Sequence, residues 1–319
     1  MRDGLLEPSD IAAARARIAG RVHRTPTWSS SVLSREHGLR LSFKAELFQK
    51  TGSFKVRGVL NRLLTLTDEE RQRGFISMSA GNHAAALSWA ATSLGLRATI
   101  VMPARAVPTK VEATRGYGGE PVLTERSLLE VCDELRRERG LTLVHPFDDP
   151  AILAGHASLG LELLEDVPDV EVVIVPVGGG GLIGGVATAL KQAHPDLRVI
   201  GVEPFGADVM TRSLATGAPV RLARLDTVAD GLAAPFTGEW PLRHVRAHVD
   251  EVVRVEDAAI LEALMRILTR TKLVAEPAAA ASYAAILAGA VKLPPGTRTV
   301  CVLSGGNLDP VVLAGRRHA

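Results

Sequence analysis

The chain has 319 residues, 46% of them hydrophobic and 23% charged, with 37 Lys and Arg against 35 Asp and Glu. That is core enough for about two domains of an ordinary globular protein. A net charge of +2 and 4% aromatics offer neither a basic field nor a stacking platform, which excludes nucleic acid as a partner.

In chain order, Ser9-Asp10 caps a predicted helix over Ile11–Ile18, and Gly20–Thr27 runs extended through Pro26. Leu41–Phe48 reads as a strand, Thr51-Gly52-Ser53 as a break, and Phe54–Leu66 as an amphipathic helix with Ser53 as its N-cap. After a polar break at Thr67–Gly74 come a strand at Phe75–Met78, a small-residue turn at Ser79–His83 and an Ala-rich helix at Ala84–Leu94. Strands at Ala98–Met102, Pro121–Thr124 and Leu141–Val144 then alternate with helices near Thr109–Tyr117 and over Leu128–Arg139. Asp148-Asp149-Pro150 marks a turn into the helix Ala151–Leu164, followed by the strand Val170–Val177, the helix Leu182–Ala193 and the strand Arg198–Glu203. Between Phe205 and Val255 only a helix near Ala207–Ala215 stands out. Helices at Glu256–Thr271 and Ala278–Ala288 and a strand at Thr299–Leu303 complete the series. Alternating strands and helices predict an α/β fold with parallel sheets covered on both faces.

Pro277–Val291 is alanine-dominated and too short to cross a bilayer, and the start of the chain, with Arg2, Asp3 and Glu7, lacks a signal-type apolar core. A cytoplasmic protein without membrane contact is expected. Cys132 and Cys301 are too far apart in sequence for a metal or redox motif. His244 and His248 have i,i+4 spacing but no acidic companion, and read as surface histidines. Arg136, Arg137 and Arg139 read as a solvated face, and Glu276 as either a helix cap or a pocket carboxylate.

Three motifs and one lysine carry chemistry. Lys55 falls in the first turn of its helix, where exposed N–H groups disfavour a cation and favour the neutral amine that adds to carbonyls. In Val177-Gly178-Gly179-Gly180-Gly181-Leu182 an apolar strand runs through four glycines into a helix, a pattern that lets successive N–H groups close on a phosphate. The competing reading is a dinucleotide site: Gly179, Gly181 and Gly184 match G-x-G-x-x-G, and Glu203 ends the next strand. Ser79-Ala80-Gly81-Asn82-His83 suits a carboxylate or a ring hydroxyl, and Ser304-Gly305-Gly306-Asn307 follows a buried strand into the crevice where open α/β sheets bind ligands.

Together Gly52–Gly58, Ser79–His83, Gly178–Gly181, Ala229-Asp230-Gly231, Glu276-Pro277 and Ser304–Asn307 resemble the serine/threonine dehydratase and serine racemase family of fold-type II pyridoxal-phosphate enzymes. The likeness runs from about His23 to Asn307. It implies two open, mostly parallel twisted sheets flanked by helices, in the tryptophan synthase β-like arrangement. It also implies a large domain of 1–70 and 146–319, a small mobile domain of 71–145, and a homodimer or higher homo-oligomer.

By the same resemblance Lys55 holds pyridoxal 5'-phosphate as a Schiff base and is the catalytic base. Phe54 packs on the ring, Asn82 bonds its hydroxyl, Gly178, Gly179, Gly180 and Gly181 hold the phosphate, and Ser304 faces the ring nitrogen. Ser79, Ala80, Asn82 and His83 receive the substrate carboxylate. The implied reaction is β-elimination of a small β-hydroxy amino acid such as threonine or serine to a 2-oxo acid and ammonia. The alternatives are another 3-hydroxy amino acid such as 3-hydroxyaspartate, or serine racemisation; a nicotinamide-dependent oxidoreductase is the remote alternative.

The chain departs from the family pattern in several places. Ala80 stands where racemases place a second, proton-carrying serine, so elimination is expected over racemisation. Glu203 and Ala207 fall at a divalent-metal site, but Val209 replaces its acidic ligand, so no metal is expected. Gly155-His156-Ala157-Ser158 and Ala234 replace pocket residues, and with only about a dozen residues after Asn307 no C-terminal regulatory domain is expected.

Overall fold

The computed structural model describes residues 4–314. Among the described residues ten strands form two sheets: β1 (Thr27–Ser29), β2 (Arg40–Ala45), β3 (Phe75–Met78), β4 (Ala98–Pro103), β5 (Glu120–Thr124), β6 (Thr142–Leu143), β7 (Val172–Pro176), β8 (Arg198–Pro204), β9 (Glu251–Val255) and β10 (Arg298–Leu303). The larger has the order β1-β2-β10-β7-β8-β9 and the smaller β5-β4-β3-β6. Among the described residues every strand pairing except β1–β2 is parallel. The fold is therefore α/β with two mostly parallel sheets.

Burial explains the composition of the central strands. All five residues of β7 are buried, as a strand with helices on both faces requires. On one face lies the helix Pro277–Leu287, whose first ten residues are buried; its alanines let it approach the sheet. On the other, the helices Pro150–Asp166, Gly181–Ala193 and Glu239–His248 pack against one another. The helix Lys55–Thr65 crosses Pro150–Asp166 closely because Gly58 and Gly155 face each other; a Cβ on Gly155 would strike the backbone of Arg57 and Gly58.

Several local expectations change. Ser53 is not the cap of the Lys55 helix: its backbone is extended and bridges Gly305, and Phe54 takes the N-cap position without a side-chain bond. Strand β2 ends at Ala45, and Glu46–Phe48 forms a 3-10 turn. The helices Ser31–His37 and Glu239–His248 and the strand β9 were not anticipated. His244 is not on the surface; it is fully buried, accepting from Leu6 N at 3.0 Å through Nε2 and facing Trp240 O at 2.7 Å through Nδ1.

Candidate active site

The helix carrying Lys55 begins where a strained turn meets the end of β10. Thr51 and Gly52 both have positive φ, 58° and 74°. The turn is tied to the chain after β10: Phe54 N donates to Ser304 O at 3.0 Å, Gly306 N to Gly52 O at 2.9 Å and Asn307 Nδ2 to Thr51 O at 2.8 Å. This clamp fixes the direction of Lys55, whose Nζ donates to Pro146 O at 2.8 Å. Burial, partly offset by Glu276, pushes the amine down to about 8. The Phe54 ring lies 5.2 Å from Lys55 Nζ and packs edge-on against His156 at 4.7 Å.

The glycine loop stands on the other side of the same segment. Gly180, with φ +87°, ends the turn from β7, and the helix Gly181–Ala193 starts immediately after it. Its first N–H groups have no intrahelical acceptor. Side chains cannot be added here, since a Cβ on Gly179 would enter the Phe147 ring and one on Gly180 would meet Met210 and Pro241. Residues 145–147 thus lie between Lys55, which bonds Pro146, and the loop, which rests on Phe147.

Ser79–His83 follows β3, and Asn82 begins the helix Asn82–Ser93. The Asn82 amide is held between two residues of the larger sheet's side: Nδ2 donates to Glu276 Oε1 at 2.7 Å and Oδ1 accepts from Asn307 Nδ2 at 2.7 Å. Glu276, which the sequence left as cap or pocket carboxylate, makes no side-chain cap bond and is a buried pocket acid. Burial first, then Asp230, pushes it up to about 8. Ser79 and Ala80 are half-buried at the turn. His83 is not turned to the cleft: at 3% exposure its Nε2 meets Ser77 Oγ at 2.9 Å, and burial holds it well below the usual histidine range. Its Nδ1 is buried without a partner among the described residues. Ser304 is buried at the end of β10.

One candidate is used elsewhere. Glu203 accepts from Met210 N at 2.7 Å, Thr211 N at 2.8 Å and Thr211 Oγ1 at 2.7 Å, so its oxygens belong to the start of the helix Val209–Thr216. It is therefore not free for a ribose hydroxyl, which removes the support for the dinucleotide reading. No cluster of three potential metal ligands joins Glu203 and Ala207 among the described residues.

Sequence reasoning passed over Arg57. It is fully buried, paired with Glu46 at 2.7 and 2.8 Å and with Glu162 at 2.7 and 2.9 Å. Buried Lys44 extends the network to Glu162 at 3.1 Å and Asp166 at 3.0 Å. Arg57 lies off the apolar stripe of Val56, Val59 and Leu60, so periodicity carried no signal for its burial.

The residues present fit a phosphorylated aldehyde cofactor. A glycine loop closed to side chains leads into a helix start, a buried amine with lowered basicity bonds Pro146 beside the Phe147 on which that loop rests, and the buried hydroxyls of Thr51 and Ser53 have no partner among the described residues. Residues 18–305 match the family described as pyridoxal-phosphate dependent enzyme. The L-threonine ammonia-lyase of Geobacter sulfurreducens is 44% identical over 94% of this chain and 75% of its own. A phenylserine dehydratase of Ralstonia pickettii is 40% identical over 97% and 95%. The structure of maize serine racemase superposes with a TM-score of 0.92 at 39% identity, covering 96% of this chain and 95% of that one. The chain belongs to the pyridoxal-phosphate dependent enzymes of fold type II, and its cofactor is pyridoxal 5'-phosphate.

Proposed function

We propose that the protein is an ammonia-lyase that eliminates water from a small β-hydroxy amino acid, threonine or serine, giving a 2-oxo acid and ammonia. The observation that carries this reading is Lys55, a buried amine with basicity tuned to about 8, between the glycine loop and the Ser79–Asn82 turn. The activities of the relatives support it, the threonine ammonia-lyase above all.

Lys55 would anchor the cofactor through Nζ, with Phe54 beside the ring, Asn82 at its hydroxyl, Gly178–Gly181 around its phosphate and Ser304 at its nitrogen. When bound, pyridoxal phosphate supplies the electron sink for breaking bonds at the substrate's α-carbon. The N–H groups at the start of the helix Asn82–Ser93, with Ser79, take the substrate carboxylate. Lys55, as the free amine, would be the base that removes the α-proton. The β-hydroxyl departs with a proton as water, and hydrolysis of the released unsaturated amine returns one water and frees ammonia. Ala80 holds no proton for the opposite face, which favours elimination over racemisation. Residues 71–145, which supply the smaller sheet, are read as a unit that closes on 1–70 and 146–319. Trp28, 49% exposed on the edge strand β1, supports self-association into a homo-oligomer, checked by light scattering. Among the described residues no helix is long and apolar enough to cross a membrane, and a cytoplasmic location is the reading adopted.

The test is a visible spectrum before and after borohydride with peptide mapping, then a panel of serine, threonine, 3-hydroxyaspartate and phenylserine. A reducible band with the label on Lys55, ammonia release from serine or threonine, and loss of turnover in Lys55→Ala are expected. Full activity in Lys55→Ala would overturn the assignment, and turnover of 3-hydroxyaspartate or phenylserine alone would overturn the substrate.

A further inference from the structure

Strand β6 lies parallel to β3, with Phe75 opposite Thr142 and Ile76 opposite Leu143. The residues after β6 therefore emerge on the same edge as the Ser79–His83 turn. The carbonyls on either side of His145 are both in use. Val144 O accepts from Ser77 Oγ at 2.7 Å, and Pro146 O accepts from Lys55 Nζ at 2.8 Å. His145 is held at the seam between Lys55 and the turn, and the mechanism above gives its side chain no task.

The backbone fixes its tautomer. Nδ1 faces two amide donors, Asp148 N at 2.8 Å and Phe147 N at 3.3 Å. An N–H cannot accept from an N–H, so Nδ1 carries the lone pair and the proton sits on Nε2. The ring is steadied edge-on by Phe147 at 4.7 Å, with Phe236 at 6.1 Å. Nε2 forms no hydrogen bond among the described residues, and it is not one of the buried side-chain atoms left unpartnered. Burial, opposed by Asp148 and reinforced by Lys55, pushes the group down to about 4, so the ring is neutral where the enzyme works. A neutral ring whose only basic nitrogen is already engaged cannot take a proton from the substrate. It can donate.

We propose that His145 is a substrate-binding residue whose Nε2–H donates to an oxygen of the amino acid bound beside Lys55, its carboxylate or its β-hydroxyl. This rests on the cleft being the amino-acid site described under the proposed function. His145→Phe keeps a ring against Phe147 and removes the donor; His145→Gln restores an N–H near the position of Nε2. In cofactor-loaded enzyme, equilibrium binding of alanine is read from the shift in visible absorbance, and KM and kcat are measured with serine.

His145→Phe is expected to weaken at least one of the two amino acids on the order of 10-fold, the usual size of a hydrogen bond to a charged or polar oxygen. His145→Gln should recover most of that loss. Weakening of alanine and serine alike assigns the carboxylate, and weakening of serine alone assigns the hydroxyl. Unchanged binding and KM in His145→Phe, beside a competent parent enzyme, would overturn the role of His145 and leave the proposed function standing. A parent enzyme that binds neither amino acid would overturn both. Nitrogen-15 NMR of histidine-labelled enzyme gives a reading independent of activity: the proton is expected on Nε2, and finding it on Nδ1 would sink the proposal.

Discussion

Lys55 and Glu276 occupy one buried region and are pushed toward their neutral forms from opposite sides, the lysine down to about 8 and the glutamate up to about 8. For Lys55 this means that at pH 8 roughly half of the amines are free, against under ~1% for an ordinary lysine. Competitive acylation of the cofactor-free protein, followed by peptide mass spectrometry, should give Lys55 a labelling midpoint near pH 8. A midpoint near pH 10 would refute the tuning. For Glu276 the consequence is for stability. Its folded value lies above the ordinary 4.5, so between pH 4.5 and about 8 the unfolded chain releases a proton that the folded chain keeps. Stability therefore falls as pH rises across that window. Glu276→Gln keeps an acceptor for Asn82; it should leave denaturant midpoints unchanged at pH 4 and raise stability on the order of 1–3 kcal/mol at pH 8. An equal shift at both pH values would contradict this account. Lys55, Asn82 and the glycines were legible in the sequence because their neighbours form short motifs. Arg57 and His145 were not: Glu162 lies 105 positions from Arg57, and Lys55 lies 91 from Pro146, the neighbour of His145 that it bonds, so only folding brings them together.

Elements were legible where their periodicity was strong. The helix Leu182–Ala193 was placed to within one residue of the observed Gly181–Ala193, and β3 was placed as observed. The helix Glu239–His248 escaped because Pro241 and four interleaved Arg and His residues blur its stripe, and His244 owes its burial to a contact with Leu6. Strand β9 escaped because, at the edge of its sheet, only Val255 is fully buried. The element that matters most for catalysis is the helix Lys55–Thr65, and its position depends on the glycine contact with Pro150–Asp166. Gly155→Val should push these helices apart, lowering stability by about 1–3 kcal/mol or more, as overpacking does. It should also weaken cofactor retention, which dialysis and absorbance would show. Unaltered melting and retention would mean the close approach is not required.

On the scale of the whole molecule, alternation in the sequence was sufficient for the α/β class but not for the strand order, because spacing along the chain says nothing about which strand enters between two others. The Arg57–Glu46–Glu162–Lys44 network joins β2 to the helices Lys55–Thr65 and Pro150–Asp166 across the interior. Removing its central cation with Arg57→Ala leaves Glu46 buried without its main partner, and should cost about 3–5 kcal/mol in urea unfolding. A loss below ~1 kcal/mol would show that water reaches the site in the variant. The strand order has a temporal consequence as well. Strand β10, at Arg298–Leu303, is the spacer between β2 and β7, so the larger sheet stays divided until residues 298–303 have left the ribosome. All four strands of the smaller sheet fall within residues 75–143 and can pair while synthesis continues. Assembly is accordingly polarised, with the slow step being the late insertion of a central strand across a long chain separation. Amides of β3 and β4 are expected to become protected ahead of those of β2 and β10.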